Sequence, residues 1–103
     1  MDEEDDDLDN QDELNEKIEL SVNRFEEMIR KQDRYFFDVD ALIRIIDFYI
    51  DKGEYQKALE VARYAFSLHP NSVNFLMKQA HLFAITGQDQ KALETLDRVE
   101  RIS

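Results

Sequence analysis

The sequence predicts an all-α fold of stacked antiparallel helical hairpins. Three observations carry this expectation. The 103 residues include only two glycines and one proline, and are rich in Ala, Leu, Glu, Lys and Gln, a composition that favours helix. No β-rich run bounded by turn residues occurs. The stretch GEYQKALE, residues 53–60, returns 34 residues later as GQDQKALE, residues 87–94. A fixed period of that size marks stacked helical units.

From residue 14 the apolar residues recur at helical spacing. Leu14, Ile18, Val22, Phe25 and Ile29, widened by Met28, define one face of a first helix over 14–33. Asp38 is placed to cap a second helix over 39–51, with Leu42, Ile45, Ile46 and Tyr49 as its stripe. Gly53 closes that helix, because glycine accepts the left-handed conformation of a helix end. A third helix over 54–68 carries Tyr55, Ala58, Leu59, Ala62, Ala65 and Phe66 inward, and Pro70 blocks its continuation. Asn71 or Ser72 caps a fourth helix over 73–86. Gly87 ends it, and a fifth helix occupies 88–102. The domain boundaries that follow are an acidic tail at 1–13 and a helical domain at 14–103. The latter divides into a leading helix (14–34) and two repeats, 39–72 and 73–103.

The two repeats resemble tetratricopeptide repeats. In the first the resemblance rests on Leu42, Ile45, Tyr49, Gly53, Tyr55, Ala58, Ala65 and Pro70. In the second it rests on Leu76, Ala80, Phe83, Gly87, Ala92, Leu96 and Val99. It implies a right-handed solenoid fragment in which Tyr49 and Phe83 fill the space between paired helices. Ala58 and Ala92 would be small where those helices approach. Two positions depart from the pattern. Ile46 stands where a small residue is usual, and Gln79 stands where an apolar one is usual. Repeats of this kind bury their faces against their neighbours. The leading helix is therefore expected to cover the first repeat, and the last helix lacks a polar capping helix. A fragment of a longer array, or pairing with another copy through that helix, would both suit this ending.

Charge separates the tail from the body. Residues 1–13 hold nine acidic groups and no base, while residues 14–103 hold thirteen bases against fifteen acids. So dense a like-charge block is expected to be disordered. Asp5, Asp7, Asp9 and Glu16 fall at four positions of a calcium-loop pattern. Asn10 replaces its turn glycine and Asp12 stands at an apolar place, so calcium is not expected. The basic footprint of a nucleic-acid binder is absent. There is no cysteine, hence no disulfide framework, and no apolar run long enough for a membrane span. The composition suggests a soluble, cytoplasmic chain.

No catalytic pattern is present: no nucleophile elbow, Gly-rich phosphate loop or Walker lysine. His69 and His81 lack the spacing of a metal pair. No enzyme activity, cofactor or metal is expected. The function left is protein–protein interaction. In tetratricopeptide repeats the first helix of each hairpin lines a concave groove that holds peptides. Carried over, the resemblance assigns Ile43, Arg44, Asp47 and Ile50 from the first repeat and Asn74, Met77, Lys78 and His81 from the second. Arg44 and Lys78 would form a basic ladder, Ile43 and Met77 an apolar one, and Asp47 and His81 a mixed rung. Some family members grip a C-terminal carboxylate through a two-carboxylate clamp of Lys, Asn and Arg. Ile43, Asp47 and Asn74 stand where such a clamp needs other residues, so a chaperone-tail clamp is not expected. A scaffold without a peptide ligand of its own is the alternative.

Overall fold

The computed structural model describes residues 3–102, with side chains described from Asn10 onward. Among the described residues it is all-α, with five helices and no strand. They are α1 (Glu3–Lys31), α2 (Val39–Asp51), α3 (Tyr55–Leu68), α4 (Val73–Ile85) and α5 (Asp89–Ile102). The chain divides into two compact units, Met1–Tyr35 and Phe36–Ser103.

In the first unit, α1 is longer than the apolar pattern indicates. It starts at Glu3 rather than at 14, so the stretch expected to be a disordered tail continues the helix. The side chains of Asp5, Asp7 and Asp9 lie outside the described residues, and with them the calcium-loop comparison. Val22, Phe25 and Met28 are buried, whereas Leu14 and Ile29, counted into the same stripe, are exposed. At the other end, Lys31 hydrogen-bonds Glu27 at 3.1 Å, which holds its ammonium above the ordinary lysine range.

Three helices end in the same way. Gln32, Gly53 and Gly87 all have positive φ, at 53°, 73° and 78°. After α2 the Gly53 N–H donates to Ile50 O at 2.9 Å and the Glu54 N–H to Tyr49 O at 2.9 Å. After α4 the Gly87 N–H donates to Ala84 O at 3.2 Å and the Gln88 N–H to Phe83 O at 2.7 Å. These paired bonds satisfy carbonyls that a helix end otherwise leaves open. The two glycines recur because each hairpin needs one left-handed residue at its tip. Gln32 makes the same turn after α1, with the strain of a side chain in that region.

The N-termini are less alike. The Ala41 N–H donates to Asp38 Oδ1 at 2.8 Å, as expected of a cap. Ser72 holds the cap position of α4 but makes no side-chain cap bond.

The second unit is two helical hairpins, α2–α3 and α4–α5. Helix α3 packs against both α2 and α4, and α5 packs chiefly against α4. The core takes Leu42, Ile45, Ile46 and Tyr49 from α2. From α3 it takes Ala58, Leu59, Val61, Ala62 and Ala65, and from α4 Phe75, Leu76, Ala80, Leu82 and Phe83. Phe37 is buried ahead of α2. Its carbonyl accepts a hydrogen bond from His69 Nε2 at 3.0 Å, and its ring stands edge-on to Tyr64 at 6.5 Å. His69 also lies between Phe36 (5.6 Å) and Phe75 (6.0 Å). The ring thus ties the segment before α2 to the turn before α4, a structural post at a helix end.

Candidate functional site: a groove between α2 and α4

The first helices of the two hairpins flank a groove of about 580 Å³. Helix phase decides its walls. At 100° per residue, Ile43, Asp47 and Ile50 share one flank of α2, beside the buried stripe of Leu42, Ile45, Ile46 and Tyr49. From α4 come Asn74, Met77, Lys78 and His81. All the residues that the resemblance assigns line this groove except one.

The exception is Arg44. It does not line the groove, and its Nε is enclosed without a hydrogen-bond partner among the described residues. The repeat explains why. Lys78 projects from the flank of α4 that faces back to α2. Thirty-four residues earlier, the same flank of α2 carries Arg44 and faces away from α4. The two cations share a position in their hairpins, but only Lys78 lines the groove. They form no ladder.

Lys78 is instead neutralised within the groove. Its Nζ donates to Asp47 Oδ1 at 2.6 Å, with the two side chains 31% and 48% exposed. At such exposure the pair contributes about 0–1 kcal/mol. Its effect is on shape and charge, since it bridges the hairpins and removes the free positive charge expected at Lys78. The mixed rung therefore runs from Asp47 to Lys78 rather than to His81. Asp47 and Lys78 are 31 residues apart, one helical turn short of the repeat period. That offset is the sequence signal of a charge reaching one turn back across the interface.

The remaining lining is mostly uncharged. Ile43 and Ile50 on one wall face Met77 on the other, with Asn74 and His81 as hydrogen-bonding groups toward the two ends of α4. Met77 is almost half exposed. Its unbranched thioether adapts to irregular apolar partners. An open groove with apolar side chains on both walls and four polar ones among its seven lining residues has the shape and chemistry to hold an extended segment. Among the described residues no helix is long and apolar enough to cross a membrane. No family model matches the chain, and neither a curated protein nor a solved structure matches it.

Proposed function

We propose that the chain is a non-catalytic protein-interaction module of the tetratricopeptide-repeat type, which binds a peptide or an extended partner segment between α2 and α4. The observation that carries this is the groove itself, because residues 34 apart on the first helices of two successive hairpins converge on one open, partly apolar trough. Ile43, Ile50 and Met77 supply the contact that gains most from leaving water. Asn74 and His81 fix register. The Asp47–Lys78 pair gives the centre a bound dipole rather than a net charge, so the ligand is selected by apolar side chains more than by acidity. With one groove of two helices, affinity is about micromolar or weaker.

A scaffold that extends or self-assembles is the second reading. It is favoured by Leu93 and Leu96 on α5, which are apolar and exposed. The two separate on one experiment. Peptides from candidate partners are titrated against wild type, Ile43→Asp and Met77→Asp, and against Leu93→Asp as a surface control. The groove reading expects loss of peptide binding in the first two variants and none in the third. Equal binding by all four proteins would move the function to the scaffold.

A further inference from the structure

A second concave site lies on a different surface, between α3 and α5 over α4. It encloses about 370 Å³, and its lining cannot be understood as core. In the first hairpin Ile45 and Val61 are fully buried apolar residues. Their counterparts 34 residues on are Gln79 and Thr95, and both line this second cavity. Tyr64, whose ring packs on Phe37 in the first hairpin, is matched by Arg98. Where the first hairpin fills its interior with hydrocarbon, the second leaves a polar hollow. Substituting amide and hydroxyl for buried aliphatic groups costs stability unless something bonds them.

The charges around the hollow are uneven. Arg63, Lys91 and Arg98 surround it, with Glu94 as the one carboxylate. Among the described residues none of the three cations is in an ion pair. Two are held over aromatic faces, Lys91 Nζ 5.8 Å from the centre of Phe83 and Arg98 Cζ 5.1 Å from that of Phe66. Such contacts steady the long side chains while their charged groups remain exposed. Thr95 Oγ1 donates to Lys91 O at 2.8 Å within α5. Glu94 accepts from Gln90 Nε2 at 3.4 Å. The Gln79 amide has no partner among the described residues and is left to donate.

This arrangement selects a carboxylate-rich ligand. A chain of net charge −11 that concentrates nine acids and no base in residues 1–13 itself carries one. We propose that the α3–α5 pocket is an acidic-peptide site, occupied by the acidic stretch 1–13 of a second copy of the chain. Guanidinium groups of Arg63 and Arg98 would take carboxylates in bidentate fashion. Lys91 adds a point charge and Gln79 a neutral donor. The site is distinct from the groove between α2 and α4 and does not depend on its function.

The test uses the full chain. Sedimentation over a range of protein concentrations should show weak self-association at about 10 mM salt. That association should fall roughly tenfold or more at about 1 M salt, as the screening length shrinks from about 30 Å to about 3 Å. Arg98→Glu and Lys91→Glu should each abolish it, and Arg98→Lys should retain part of it. These positions are exposed, and circular dichroism checks that the variants remain folded. In parallel, a synthetic peptide MDEEDDDLDNQDE added to the full chain should shift the amide resonances of Gln79, Thr95 and Arg98. A chain that sediments as a monomer at every concentration and salt overturns the proposal. So do peptide shifts centred elsewhere, or inorganic phosphate displacing the peptide at equal concentration, which would make the pocket a phosphate site.

Discussion

Leu59 in the first hairpin is 1% exposed, and its counterpart Leu93 in the second is 63% exposed. Ala62 and Leu96 differ in the same sense. The residues occupy equivalent places in sequences that share QKALE, so local chemistry is not the cause. Helix α3 is covered on both flanks, by α2 and α4, whereas α5 packs chiefly on α4. The difference runs inward as well. Ile45 and Val61 are buried hydrocarbon, and Gln79 and Thr95 line a cationic hollow. The first hairpin is built as a core element. The second spends two core positions on polar groups and keeps two leucines at the surface. Repetition of a sequence thus specifies backbone shape, while position among neighbours determines what each side chain does.

The largest effects should come from exchanging the two interiors. Ile45→Gln buries an amide without a partner and should destabilise by roughly 2–5 kcal/mol. The reciprocal Gln79→Ile should be neutral or stabilise by about 1 kcal/mol. Urea unfolding midpoints read both changes. A comparable loss in both variants would mean that Gln79 is bound into the fold, and the contrast between the hairpins would dissolve.

Next is Leu59→Ala against Leu93→Ala. Removing the buried leucine should cost about 2–5 kcal/mol, and removing the exposed one less than about 0.5 kcal/mol. Two equal losses would show that Leu93 is covered in solution, a direct sign of self-association through α5. The close approach within each hairpin is probed by Ala58→Leu and Ala92→Leu, with overpacking costs of about 1–3 kcal/mol. The second should be the milder, since Ala92 is the less completely buried.

The turns should behave alike. No atom lies within 4 Å of a Cβ built on Gly53 or Gly87, so alanine there pays only for the left-handed backbone. Each change should cost about 1 kcal/mol, and Gln32→Gly should gain a similar amount. Unequal effects at Gly53 and Gly87 would break the equivalence of the two tips. The smallest effect belongs to the groove. Asp47→Asn should lower stability by no more than about 1 kcal/mol, and by less at high salt, because the pair it breaks is partly exposed.

Much of the fold was legible because its determinants are local. Asp38 caps α2 through a bond three residues away. Gly53 and Gly87 close their helices through bonds within one turn and a half. The apolar spacing of Leu42, Ile45, Ile46 and Tyr49 is a property of one helix. Most of the residues that line the groove were named through the resemblance to tetratricopeptide repeats, and the period then paired Ile43 with Met77 and Asp47 with His81. The start of α1 at Glu3 was not, since helix and disorder compete there with no apolar stripe to decide between them.

By itself, then, the sequence determined the helices of the two hairpins, their ends and their 34-residue equivalence, all governed by interactions a few residues long. Tertiary structure alone decided three further things. It turned Arg44 out of the groove, since the direction a flank faces depends on which helix lies beside it. It joined Lys78 to Asp47 across 31 residues. It also opened a cationic hollow at Gln79 and Thr95, where the same backbone positions of the first hairpin are filled. Each depends on distances between helices, and those are set by packing among side chains far apart in the chain, which no local pattern encodes.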